Sequence, residues 1–399
     1  MRQVTLETTR YMWRNEKNRL FMGILTILVF FYTLFVVPNI SGENEINISN
    51  LERDMQGNVV QFEQALKDGL IVPNALTGTT AYTGMRRSYV AQREVLTALK
   101  QGDVRRYISI PYRPNAEIAE LSGLEQLAYD FLGYEMEQPF QAQKNHYYAT
   151  EVDDLSFHIV HDRTSIQQLN LFLLGFGPIL LLLGLIFMIS DVHVKDRSLE
   201  TQKVGHPLSW QKYTWVQAMS ALGFVAAFYV ALGLGFYLLN GILHGFGSFQ
   251  FPTGFYEANF KIGVYNSENF QLETISWFML RIAPYLALLG YFFARLNTLL
   301  SLWTKQAVVT MALGMFTVLF QFIYYGSEAT ELLGVHIKQF PQTYFDIGKV
   351  LTGRFELQIA EAIPDLFSQG LLVLGITIVI IELLIYISSK KITRQKFFN

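Results

Sequence analysis

The chain has 399 residues, of which 51% are apolar, 15% aromatic and 16% charged, and its formal net charge is −2. Soluble globular domains carry about 25% charged residues, so this composition is typical of a membrane protein. Cysteine is absent, which excludes disulfides, thiolate metal sites and cysteine nucleophiles.

Six apolar stretches are each long enough to cross a bilayer. A helix that crosses about 30 Å of hydrocarbon needs roughly 20 apolar residues, because each residue adds about 1.5 Å. The first stretch is too long and too aromatic for a cleaved signal peptide, so we interpret it as a retained anchor. The pattern predicts an all-α polytopic membrane protein with six transmembrane helices, at residues 20–38, 169–190, 215–240, 277–298, 306–325 and 369–388.

Basic residues near the span ends predict the orientation, because Lys and Arg flanks resist translocation. Four basic segments fall on one side of the six-span arrangement, one of them the link after span four with Arg295 and Lys305, whereas the opposite short loop at 241–276 carries Lys261 as its single Lys or Arg. We therefore expect a multi-pass protein of the plasma membrane with both termini in the cytoplasm. The predicted cytoplasmic segments are 1–19, 191–214, 299–305 and 389–399, and the predicted extracytoplasmic ones are 39–168, 241–276 and 326–368.

The long polar block at 39–168 has the pattern of a small folded domain. Apolar residues recur in it at helical spacing, which predicts a mostly helical extracytoplasmic domain inserted between transmembrane helices 1 and 2. Its acidic and histidine residues near 151–161 lack a spacing diagnostic of metal ligands, so no metal site is predicted. The clearest helical stripe consists of Leu51, Met55, Val59, Phe62 and Leu66.

The segment 326–368 is too apolar for a solvated loop. Phe355, Ile359 and Ile363 lie four residues apart beside acidic residues, a pattern that predicts a short amphipathic helix at the outer leaflet. A plain connecting loop is the alternative.

Enzyme motifs are missing from the sequence. It contains no GxxxxGK[ST], HExxH or GxSxG pattern and no Asp-rich metal motif, so no catalytic, cofactor-binding or metal-ligating residue is predicted. The glycines at 175–177 and 233–235 fit helix packing or kinks better than phosphate loops.

Glu382 lies inside the predicted sixth span. An ionised carboxylate there costs roughly 2.5 to 3.5 kcal/mol, so it should face a protein interior, a partner or a water-filled path, or be protonated. Structural and transport-related roles both remain open. Arg281, near the outer end of the fourth span, can reach the headgroups with its long stem.

The inner loop at 190–218 carries the most informative polar pattern. An acidic residue follows the second span, a Glu precedes a Gly-containing turn, and Pro-Leu-Ser and a basic residue precede the third span. Together with six spans, this loop resembles that of type-2 ABC exporter permeases, and the large inserted domain is similar to the longer bacterial branch of that family. The matching residues are Asp191, Glu200, Gly205, Pro207, Leu208, Ser209 and Lys212.

The resemblance implies an ATP-driven exporter in which this chain binds no cofactor. ATP and Mg would be held by two copies of a separate ABC ATPase subunit, because the chain lacks a phosphate-binding loop. A short helix from Asp196 to Lys203 would dock on that ATPase. The N-terminal segment would lie along the inner interface as a second lever, with Tyr11, Met12 and Trp13 toward lipid. A homodimer, or a heterodimer with a related permease, is implied, in contact with membrane lipid and without nucleic acid.

The cargo is expected to be hydrophobic or amphipathic: a peptide, a toxin or a lipid-like molecule. The main alternative is a sensor or mechanical transmitter whose external domain binds a peptide or a cell-wall partner without transport. An integral membrane enzyme is a weaker alternative, because membrane-proximal acidic or His clusters are missing.

Overall fold

The computed structural model describes residues 1–39, 46–67, 81–110, 137–199, 207–256, 270–322, 331–332, 334–353 and 366–398. The chain is mostly helical and divides into two compact units. The membrane unit comprises Met1–Phe35 and Ser165–Asn399, and the second unit comprises Val36–Thr164.

The helices and strands have these bounds. In chain order the helices are α1 (Arg2–Arg14), α2 (Glu16–Phe31), α3 (Ile48–Lys67), α4 (Ala81–Gln101), α5 (Val104–Ser109), α6 (Glu137–Glu151), α7 (Phe157–Val160), α8 (Ser165–Leu174), α9 (Gly177–Ile189), α10 (Trp210–His244), α11 (Ile275–Thr304), α12 (Ala307–Leu319), α13 (Ile347–Leu351), α14 (Leu366–Lys391) and α15 (Arg394–Phe398). The strands are β1 (Pro252–Tyr256), β2 (Phe270–Thr274), β3 (Glu331–Leu332) and β4 (Val335–His336).

Among the residues that the structure describes, five helical segments are long and apolar enough to cross a membrane. They coincide with predicted spans one, two, three, four and six. The helix at the predicted fifth span, α12, has 13 residues, fewer than the roughly 20 that a crossing needs, so a crossing at 306–325 stays a prediction. The five segments are Glu16–Asn39, Gly177–Arg197, Trp210–His244, Ile275–Thr304 and Leu366–Lys391.

The predicted second span, 169–190, consists of two helices, α8 and α9. A Cβ atom at Gly177 would lie 2.1 Å from the carbonyl oxygen of Phe172, so only glycine allows this close approach. Pro178 follows in the first turn of α9, where its missing N–H costs no helical hydrogen bond. The prediction of a kink at these glycines is confirmed.

Helix α11 is at the centre of the membrane unit and packs against α9, α10, α12 and α14. Phe278, Ile282, Tyr285, Leu289 and Phe293 recur at helical spacing along it and are fully buried. A helix with such a continuous buried face holds its neighbours in fixed positions.

Short strands depart from the predicted all-α fold. In the antiparallel β1–β2 hairpin, Pro252 pairs with Thr274 and Tyr256 with Phe270, while β3 and β4 form a shorter antiparallel pair. This hairpin leads directly into α11, and Ile275 N donates to Phe251 O at 2.9 Å.

The segment after β4 packs inside the membrane unit rather than at its surface. Tyr344, Phe345 and Ile347 are fully buried, and α13 contacts α8, α11 and α14. The aromatic residues of this part thus face other helices, and the expectation that 326–368 lies at the outer interface stays a prediction. The predicted stripe of Phe355, Ile359 and Ile363 lies outside the described residues.

The second unit has its own apolar core between α3, α4, α5 and α7. Leu51, Val95, Ala98, Tyr107 and Val160 are buried in it. The predicted stripe on α3 enters this core at Leu51 and Met55, whereas Leu66 at its end is exposed. Asp103 caps α5 by accepting from Arg106 N at 3.0 Å.

Candidate functional site

The four basic segments predicted to share one side contact one another at one end of the membrane unit. Tyr11 Oη donates to Asp191 Oδ2 at 2.8 Å, and Arg197 Nη1 donates to Lys305 O at 3.2 Å. We name this assembly the loop platform. It comprises α1, residues 190–199, residues 207–214, residues 303–306 and α15.

Asp191, at the end of the predicted second span, joins α1 and α2 to the inner loop. Its carboxylate accepts from Tyr11 and, at 2.5 Å, from Asn15 Nδ2, and Lys17 Nζ lies 3.2 Å from its Oδ1. Lys195 Nζ lies 3.6 Å from the Tyr11 ring centre. Burial and the nearby Asp191 charge raise the pKa of the Tyr11 hydroxyl, so this group stays protonated and donates.

Lys17 also bonds α9 directly. Its Nζ donates to Phe187 O at 2.7 Å and to Ser190 Oγ at 3.0 Å. A charged group with a carboxylate and two further acceptors is well compensated, so α2 is anchored to α9 at this point.

The side chains of α1 differ from the predicted orientation. Trp13 is exposed, as expected of a residue toward lipid, but Met12 is fully buried and Tyr11 faces Asp191. Successive residues of a helix are about 100° apart, so three consecutive side chains cannot share one face.

Asp196 is buried within the loop platform. Its Oδ2 accepts from Tyr213 Oη at 2.5 Å and from Gln217 Nε2 at 3.0 Å. The Asp196 carboxylate therefore attaches the 3₁₀ turn Val194–Leu199 to α10 and does not itself face a partner. Residues 200–203 of the predicted docking helix lie outside the described residues, so the docking stays a prediction.

A second buried polar contact continues from Gln217 to α11. Gln217 Nε2 also donates to Val192 O at 2.9 Å, which leaves its Oε1 as the acceptor facing His193 Nδ1 at 2.9 Å. His193 Nε2 lies 3.0 Å from Thr298 Oγ1. These three side chains were not predicted, since nothing in the local sequence relates residues 193, 217 and 298.

The residues matching the permease motif just before α10 and in its first turn form the exposed side of the loop platform. Pro207, Ser209 and Lys212 are exposed, while Leu208 is held by its backbone, since its carbonyl accepts from Arg394 Nη2 at 2.6 Å. The other predicted loop residues, Glu200, Lys203 and Gly205, lie outside the described residues.

Glu382 pairs with Arg295 inside the membrane unit. Arg295 Nε donates to Oε1 at 2.5 Å and Nη2 to Oε2 at 2.8 Å, and Tyr291 Oη donates to Oε1 at 2.8 Å. Glu382 thus faces other helices of the protein, which is one of the arrangements expected for a carboxylate inside a span. Arg295 was predicted to flank the inner link as a basic residue, but it is buried and compensates this carboxylate.

Arg281, in contrast, remains at the surface of α11. Its guanidinium lies 4.3 Å from the centre of the Trp277 ring, a cation–π contact typical of a charge near the membrane interface.

Within the described ranges, no group of three or more His, Asp or Glu residues is placed to hold a metal ion. No family model, curated protein or solved structure matches the chain.

Proposed function

We propose that the chain is the membrane-spanning permease subunit of a bacterial type-2 ABC exporter. It would move a hydrophobic or amphipathic cargo out of the cell, with ATP and Mg bound by a separate ATPase subunit present in two copies. The observation that carries the proposal is that Pro207, Ser209 and Lys212, from the loop resembling the permease motif, are exposed on the loop platform.

A coupling loop must transmit a displacement to the membrane helices without absorbing it. In the loop platform, Asp196 bonds Tyr213 and Gln217 of α10, and His193 lies between Gln217 and Thr298 of α11. These hydrogen bonds are buried and join the inner loop directly to both helices. A push on the exposed side of the loop platform therefore reaches the central helix through short bonds.

The second lever in the proposal is α1. Because Asp191 bonds residues that flank the α1–α2 junction, α1 moves with the inner loop rather than independently. Closure of two ATPase subunits on ATP would tilt the helices of two permease chains and open an outward path between them. Both termini then lie in the cytoplasm.

The first test is purification of the tagged full chain after gentle solubilisation. We expect an ATPase with a phosphate-binding loop to copurify and inverted vesicles to accumulate cargo only with ATP. Absence of such an ATPase would overturn the proposal. ATPase binding without transport would favour the sensor alternative instead.

The second test changes the exposed side of the loop platform. Ser209→Trp combined with Lys212→Glu should abolish ATPase binding while the chain still folds, because both side chains are exposed and Ser209 makes no side-chain capping bond. Lys391→Glu, at an exposed site on α14, is the matched control and should retain binding. Equal binding by the double variant and the control would contradict the assignment.

A further inference from the structure

Helix α15 packs against the exposed motif of the inner loop. Arg394 Nη2 donates to Leu208 O at 2.6 Å, and its guanidinium lies 5.6 Å from the Trp210 ring centre and 5.5 Å from that of Tyr213. The two rings are stacked, with centres 5.8 Å apart and planes inclined by 12°. One arginine thus fixes both the backbone before α10 and the first turn of that helix.

Phe397 provides the apolar half of the same contact. It is fully buried, and its ring centre lies 5.4 Å from that of Trp210. α15 also packs on the 3₁₀ turn Val194–Leu199. The Trp210 side chain is therefore held between Arg394 and Phe397.

A hydrogen bond from the side chain of Lys305, the residue after α11, to a backbone carbonyl attaches α15 there. Lys305 Nζ donates to Lys396 O at 2.6 Å, and Lys305 O accepts from Arg197 at 3.2 Å. Since the carbonyl of residue 396 is the acceptor, the Lys396 side chain itself takes no part in this bond.

We propose that Arg394 and Phe397 are positioning residues that hold Pro207–Lys212 in the conformation that engages the ATPase. This inference rests on the proposed function. Asp196 holds Tyr213 through its hydroxyl, and α15 adds contacts to Leu208, Trp210 and Tyr213. Without α15, the carbonyl of Leu208 loses its charged donor and Trp210 loses its apolar cover, so the bond from Tyr213 to Asp196 is left to hold the motif.

The experiment compares Arg394→Ala and Phe397→Ala with Lys396→Ala in the full chain in lipid nanodiscs. The first readout is amide hydrogen exchange at residues 213–216, which needs no partner, because these N–H groups bond the carbonyls of the first turn of α10, beginning with Tyr213 N to Ser209 O. Arg394→Ala loses a hydrogen bond from a charged donor and Phe397→Ala loses the ring contact with Trp210, so exchange there should accelerate by about tenfold in both variants. Lys396→Ala should exchange like the wild type, because its side chain is exposed.

The second readout is affinity for the ATPase that copurifies with the wild type. Arg394→Ala and Phe397→Ala should raise the Kd by about tenfold, Arg394→Lys should be intermediate because lysine keeps the cation without the planar donor fork, and Lys396→Ala should be unchanged.

The outcomes separate this inference from the proposed function. Unchanged exchange at residues 213–216 in Arg394→Ala would overturn the positioning role whatever the partner. Faster exchange with wild-type ATPase affinity would overturn it while the proposed function stands. A wild-type chain that binds no ATPase would overturn the proposed function itself.

Discussion

Replacing Glu382 with glutamine removes the charge that compensates Arg295 inside the membrane unit. Arg295 is 3% exposed and Glu382 34% exposed. Breaking a buried ion pair by removing one partner costs about 3 to 5 kcal/mol, because the other charge is left uncompensated. Since the carboxylate is partly exposed, we expect Glu382→Gln to lower the free energy of unfolding by about 3 kcal/mol.

The reciprocal change should cost less. In Arg295→Met the remaining carboxyl can take up a proton and become neutral, whereas a guanidinium cannot lose its charge in a protein. We expect about 1 kcal/mol for Arg295→Met, and about 1 kcal/mol for Arg295→Met combined with Glu382→Gln, in which no charge remains. The double-mutant cycle then gives a coupling energy of about 3 kcal/mol.

The measurement is unfolding in mixed micelles titrated with sodium dodecyl sulfate, followed by far-ultraviolet circular dichroism. Lys391→Gln changes an exposed charge on the same helix and should shift stability by less than about 0.5 kcal/mol. If Glu382→Gln behaved like Lys391→Gln, or if the double variant lost the sum of the single losses, the two residues would not form the buried pair described.

Two more substitutions test the packing of each unit. Gly370→Ala would place a Cβ atom 2.2 Å from Tyr285 Oη and 2.6 Å from the Tyr344 ring, so it should destabilise the membrane unit by about 1 to 3 kcal/mol in the same titration. The control is Gly375→Ala, whose added Cβ atom would have no other atom within 4 Å, and it should leave stability unchanged. Equal losses of stability in both variants would refute the close packing at Gly370. Leu51→Ala should destabilise the second unit by about 2 to 5 kcal/mol and accelerate hydrogen exchange in α3, α4 and α5. Exchange in these helices as slow as in the wild type would show that Leu51 does not contribute to the core.

The long apolar helices were predictable because hydropathy is a local property of the chain. Five of the six predicted spans coincide with helices of sufficient length and hydropathy. The division of the second span at Gly177 was only partly visible, since a hydropathy average does not register the approach to the Phe172 carbonyl. The β1–β2 hairpin was missed because its strands are five residues long and because β1, unlike β2, shows no alternation of apolar and polar residues.

The polar pairs could not be read from the sequence. Glu382 and Arg295 are 87 residues apart, and Arg295 was counted among the basic flanks because a linear pattern does not show which side of α11 faces α14. The same reason explains Met12 and Tyr11, which were placed toward lipid with Trp13. Only the packed structure reveals which face of a helix is covered.

The connectivity of the loop platform also sets an order of events during synthesis. Asp191 follows Tyr11 by 180 residues, and Arg394 follows Leu208 by 186 residues. At about 5 to 20 residues per second, the first residue of each pair is synthesised roughly ten to forty seconds before the second. The N-terminal helix is therefore made long before its anchor, and the Leu208 carbonyl stays without its arginine until the ribosome has passed residue 394. The surface assigned to force transmission is thus among the last parts of the membrane unit to become complete.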